Sequence, residues 1–246
     1  MVGRRALAAL VVVGAVAAFG CSDDSAGGKG LGERTTLPAA VLEQADELAL
    51  SVLVGRADLP DSGWSVFEAG MDDLRKLYRP PTETDAISPP ECRPLEPPPY
   101  VDPGSHGLIA MQTRSITATD GVGAFGVVSS AMVFERPSRA SEFMDRTTSA
   151  VEPGWSQACL DARGPGESKR GTETARYALP DERASRMTTV LATAPTPTEF
   201  AIEIHTFQRG RVVASYTVLG EGNTPRGIDH QGLLEAFEAR VVAAQE

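Results

Sequence analysis

Three histidines, three cysteines and one glycine cluster are the residues whose types and spacing could do chemistry in this chain. Acid/base or nucleophilic catalysis needs a histidine oriented by a carboxylate and within reach of a Ser or Cys. His106 follows a proline-rich loop and His230 sits beside a helix cap. His205 shares a strand face with Glu203, two residues earlier. The Glu203 and His205 pair is the one hint of acid/base chemistry, and its plainer explanation is surface pairing across strands. No HExxH, GxSxG or Walker loop occurs, and Asp72-Asp73 reads as a solvated helix start rather than a metal site. The expectation is a non-enzyme with no cofactor and no metal; the alternatives are a structural envelope lipoprotein that docks a protein partner and a hydrolase of unrecognised type using His205.

Gly121, Gly123 and Gly126 spell GxGxxG, the pattern that lets a helix N-terminus hold pyrophosphate. That reading needs a helix to start at the third glycine. Here Val127 to Phe134 is a run of strand formers, and Asp120-Gly121 between two such runs signals a hairpin turn.

The cysteines report on location. Met1 to Cys21 has two arginines, an apolar run from Ala6 to Phe19, then Gly20 and Cys21. The run is short of the roughly 20 apolar residues a spanning helix needs and suits an export signal. Its end resembles the lipobox of bacterial lipoproteins, which implies cleavage after Gly20 and lipidation of Cys21, with acyl chains such as palmitate; Ala18 and Phe19 depart from the usual Leu and small residue. An uncleaved anchor, or secretion with Cys21 a spare thiol, are the alternatives. Residues 1-20 are thus expected to be a signal peptide and 21-37 a Gly/Ser-rich tether too polar to offset its ordering entropy. With Cys21 acylated, Cys92 and Cys159 remain to pair in an oxidising compartment. Closing that loop stabilises by about 4 kcal/mol in the chain-entropy model. Two buried free thiols are the other reading.

The chain carries 23 basic and 33 acidic side chains, net −10; the first 20 residues contain Arg4 and Arg5 and no acid, so the remainder stands at −12. Such a charge repels phosphate backbones, and no basic stripe interleaved with aromatics offsets it. Nucleic acid is excluded as an expected partner. The membrane, through the lipid, and a small envelope ligand or an envelope protein are the expected ones.

The elements that must position these residues begin at Pro38. Val41, Leu42, Ala45, Leu48, Ala49, Val52 and Leu53 recur at helical spacing as far as Gly55. A short strand near Trp64 to Phe67 and a brief helix over Met71 to Leu77 follow. Residues 80 to 103 hold nine of the 18 prolines and form a loop, including a PPPY motif at Pro97 to Tyr100 of the kind WW modules read. Strands are predicted over Leu108 to Thr119 and Ala124 to Phe134, then a helix capped by Ser138 and stopped at Pro153-Gly154. Further strands are predicted over Thr172 to Leu179, Met187 to Ala194, Phe200 to Phe207 and Val212 to Leu219. Asp229 caps a last helix carrying Leu233, Leu234, Phe237, Val241 and Val242. Helices outside a run of adjacent strands describe an α+β fold, an antiparallel β-sheet packed with helices in a single domain over 38-246, with one disulfide.

The SPPEC of Ser88 to Cys92, the VFERPS strand end running into SRASEFMDR, and the W-x-x-x-C of Trp155 to Cys159, with the closing strands and helix, resemble the PknH-like extracytoplasmic sensor domain family of mycobacterial receptor kinases and related exported lipoproteins. The resemblance covers about Val41 to Gln245. It implies an antiparallel sheet beside a cleft, a small-ligand sensor role, and, with no kinase segment present, a free-standing lipoprotein on the extracytoplasmic face of the cell membrane. Members of that family usually hold two disulfides, and this chain can form one.

Overall fold

Seven segments rich in β-branched, aromatic and hydroxyl side chains pair into one sheet in which every neighbouring pair is antiparallel. The computed structural model describes residues 37–59, 63–78, 99–118, 125–154, 169–178, 184–193, 200–221 and 229–244. The expected signal peptide, nearly all of the tether, and Cys21, Cys92 and Cys159 with their expected lipid and disulfide lie outside the described residues.

The strands are β1 (Trp64–Gly70), β2 (Leu108–Ala118), β3 (Phe125–Phe134), β4 (Lys169–Ala178), β5 (Ala184–Thr193), β6 (Phe200–Arg209) and β7 (Val212–Glu221). The helices are α1 (Ala39–Val52), α2 (Met71–Leu77), α3 (Pro103–His106), α4 (Pro137–Gly154) and α5 (His230–Ala243), with a 3-10 turn at Arg56–Asp58. The α+β, antiparallel-sheet expectation stands. So does the hairpin reading of the glycine cluster, because Phe125–Phe134 is a strand where a pyrophosphate site needs a helix.

Strand order across the sheet is β1-β2-β3-β7-β6-β5-β4. After β3 the chain crosses through α4 to the far edge, and β4 to β7 walk back until β7 pairs with β3. The β6–β7 connection is a two-residue turn with Gly210 first at φ 51°, a backbone state that glycine occupies without steric cost.

Each face of the sheet has its own core. Side chains alternate, so Ile116, Val127, Ala131 and Ala214 face one way and meet Ala45, Ala49 and Val52 of α1 and Phe237 and Val241 of α5. The small residues Ala45 and Ala49, one turn apart, bring α1 close to β2 and β3. Met111, Met132 and Val213 face the other way and meet Met71 and Leu74 of α2, Phe143 and Met144 of α4, and Tyr100.

Two helix ends differ from expectation. The first helix stops at Val52 rather than Gly55, because Leu53 is extended (φ −68°, ψ 146°) and Val54 turns its backbone to the sheet. The α4 helix is not capped by Ser138: the Arg136 carbonyl accepts the amides of Arg139 and Ala140, and Pro137 takes the first helical position, where its missing N–H costs nothing. Asp229 does cap α5, its Oδ1 accepting the Gly232 amide at 2.9 Å.

Candidate functional site

His205 lies in the middle of β6, opposite Tyr216 on β7 and Thr188 on β5. It is buried, so the expected surface pairing with Glu203 is corrected: the alternating pattern of β6 turns His205 toward the α1/α5 core rather than toward solvent. Its ring lies 6.4 Å from Tyr216, which packs on Phe237 of α5 at 5.6 Å, and Phe237 in turn meets Phe207 at 5.7 Å. Glu203 pairs in register with Val218. His106 closes α3 and His230 opens α5, so the three histidines sit on three separate elements.

Sheet register places His205 in a transverse polar row that sequence reading missed. Glu68, Arg114, Ser129, Tyr216, His205 and Thr188 stand side by side on β1, β2, β3, β7, β6 and β5. The left half of that row holds the chain leaving α1. Ser129 Oγ accepts the Val54 amide at 3.2 Å, and Arg114 Nη1 donates to the Val54 carbonyl at 2.9 Å. Arg114 Nε also donates to Glu68 Oε1 at 2.6 Å. Val54 is buried outside any helix or strand, and a buried backbone amide and carbonyl must both find partners. Ser129 and Arg114 supply them.

Arg240 of α5 completes the clamp. Its Nη1 donates to the Leu53 carbonyl at 2.8 Å, and its Nη2 meets the Asp58 carboxylate, whose other oxygen accepts the Gly55 amide at 2.6 Å. Burial tends to push the Asp58 carboxyl up, but the Arg240 hydrogen bond, the Gly55 amide and the charges of Arg240 and Arg114 outweigh it and hold the group below its ordinary value.

The opposite face carries a second row, made of small hydroxyls. Thr113, Ser130, Ser215 and Thr206 stand in register on β2, β3, β7 and β6, all of them buried. Thr206 and Ser215 share a hydrogen bond of 3.2 Å, and Thr113 Oγ1 donates to the Ser129 carbonyl at 3.2 Å. The next row holds Ser115, Val128, Thr217 and Ile204. Val128 and Ile204 are buried but belong to neither apolar core. At the α4 end the strip closes with Gln208, whose Nε2 donates to Ser141 Oγ at 2.7 Å. Ser215 and Thr217 alternate along β7, whereas β3 offers Ser130 to this face and Ser129 to the other. The adjacency of Ser130 and Ser215 was not visible in the sequence, because it depends on β7 lying beside β3.

Tyr100, the last residue of the PPPY motif, is buried in the α2/α4 core, edge-on to Tyr78 at 6.4 Å. Burial, aided by Tyr78, pushes its hydroxyl up to about 12, and burial also raises Tyr78. The motif anchors a loop end and offers no tyrosine to a reader. Asp72 and Asp73 are exposed in the first turn of α2, where Asp73 pairs with Lys76 at 3.1 Å. Among the described residues no group of three or more His, Cys, Asp or Glu is placed to hold a metal ion, and no helix is long and apolar enough to cross a membrane.

No protein-family model matches the chain, and no curated protein does. Among solved structures the chain is similar to the extracellular domain of PknH from Mycobacterium tuberculosis, at 14% identity over 81% of this chain and 95% of that chain, with a TM-score of 0.39. That is a weak likeness at the level of the fold.

Proposed function

We propose that the chain is a lipid-anchored, extracytoplasmic domain of the cell envelope that binds a small ligand, in the manner of a sensor, and does not catalyse. The observation that carries the binding reading is the hydroxyl strip of Thr113, Ser130, Ser215 and Thr206 with Ser115 and Thr217 beside it. A sheet face used only for packing is filled with apolar side chains, as in the rows of Ile116 with Val127 and of Met111, Met132 and Val213. Small hydroxyls in the same positions occupy less volume than aliphatics and present polar atoms suited to a polyhydroxylated or lipid-headgroup ligand. The address rests on the run from Ala6 to Phe19 ending at Cys21.

Two measurements test this. For the binding role, full-chain protein is titrated with separated lipid and glycan fractions of its native envelope while its unfolding temperature is followed. A rise with one fraction, lost in Ser130→Val and Ser215→Val variants that remain folded, supports the strip as the site; no fraction acting, or the variants responding like the parent, removes it. For the address, the intact mass from the native membrane is measured with and without reductant. A chain starting at Cys21, heavier by acyl groups and gaining two protons on reduction, supports the anchor and the Cys92 to Cys159 bridge together, and an unmodified mass sinks both.

A further inference from the structure

The two edges of the sheet are built differently. At one edge β4 reads KRGTETARYA, with three basic residues, a glutamate and a register shift between Lys169 and Gly171. Charges and bulges of this kind stop an edge strand from pairing with another chain. At the other edge β1 reads WSVFEAG: it has no proline, no lysine or arginine, and its register with β2 runs unbroken from Trp64 to Gly70. Its one charge, Glu68, is matched by Arg114 on the neighbouring strand. Phe67, the central residue of the seven, is 46% exposed. The outer side of β1 pairs with no strand among the described residues.

We propose that β1 pairs with β1 of a second copy of this chain, antiparallel about a two-fold axis through Phe67 and normal to the sheet. The strand is complementary to itself in that register. Trp64 of one copy faces Gly70 of the other, large against none; Ser65 faces Ala69; Phe67 faces Phe67, an aromatic pair on the α2/α4 side. Glu68 faces Val66, so the one charge on the strand avoids its own copy. Ladder hydrogen bonds form between the outer edges of the two β1 strands, and two seven-stranded sheets become one. A two-fold axis normal to the sheet also keeps both α1 helices on the same side. The strand pair is short, so the dimer is weak and concentration-dependent.

The test uses the full chain purified in mild detergent. With Phe67→Cys, oxidation is expected to cross-link two chains, because the two sulfurs meet on the axis. With Ser65→Cys it is not, since the two copies of residue 65 lie about 14 Å apart along the strands, beyond disulfide reach. The parental chain reports any cross-linking by Cys21, Cys92 and Cys159. Separately, sedimentation of the parental protein is expected to show a dimer that grows with protein concentration, and Phe67→Lys, at an exposed position, is expected to leave a folded monomer. Equal cross-linking by both cysteine variants, a monomer at every concentration, a dimer indifferent to Phe67→Lys, or cross-linking of Phe67→Cys to a different protein each overturns the proposal.

Discussion

Arg240 on the last helix donates to the carbonyl of Leu53 across 2.8 Å of space and 187 residues of chain. With the Asp58 contact from the same guanidinium, it ties the exit of the first helix to the end of the fold. That exit is the stretch where a buried chain has left the helix and found no strand to join. Its polar groups are held by three residues, Ser129, Arg114 and Arg240, from three distant elements.

Arg240→Ala is expected to destabilise the protein by about 2 kcal/mol, since it leaves a carbonyl and a carboxylate of low exposure without their charged donor. Urea unfolding measures it. A double-mutant cycle with Asp58→Asn should give a coupling above about 0.5 kcal/mol; additive losses would show that the two residues act separately.

The Asp58 carboxyl is held below its ordinary value of 3.8, so its ionised form favours the folded state. The contribution is complete above that value and fades as pH falls through the lower, folded value. Parent and Asp58→Asn should therefore differ in unfolding midpoint at neutral pH and converge at the acid end. A gap that stays constant into strong acid would refute the assignment.

Ser129→Ala removes the acceptor of the buried Val54 amide, and a loss of about 1–3 kcal/mol is expected. Ser65→Ala, at an exposed position of β1, is the comparison and should change stability by less than about 0.5 kcal/mol. Equal effects from the two would mean that the Val54 amide is satisfied in another way.

Tyr100 should stay protonated when ordinary tyrosines have ionised. Its folded value is pushed up to about 12 against an ordinary value of 10.0, so the unfolded chain releases the proton first and stability declines as pH rises between the two. Tyrosinate absorbance should show a late-titrating group in the folded protein that Tyr100→Phe removes. An unchanged titration curve in that variant would refute it.

His205→Phe keeps an aromatic ring beside Tyr216 while removing both ring nitrogens. If the domain binds without catalysing, the variant should take up the envelope fraction that stabilises the parent with unchanged affinity. A folded variant that has lost a chemical activity detectable in the parent would return His205 to an acid/base role.

The order of helices and strands, the β2–β3 hairpin, the turn at Gly210 and the Asp229 cap were legible in the sequence because each rests on residues within a few positions of one another. The expected export signal and lipidation at Cys21 rest likewise on one contiguous run, which lies outside the described residues. The strands β4 and β5 were placed within about three residues, since their polar starts carry no strong period.

What local pattern determines is which way a side chain points relative to its neighbours along the chain; what the tertiary structure decides is what stands beside it. Alternation told that Glu203 and His205 share a face, and only packing under α5 made that face the core for His205. Arg114 and Ser129 became one clamp because β2 and β3 pair in register, and Ser130 met Ser215 because β7 returned to β3 across a connection with no local signal. Sheet order, and which strands stand at its edges, follow from how apolar area on two faces is buried at once. That is a property of the whole chain, with no signature in any single stretch of it.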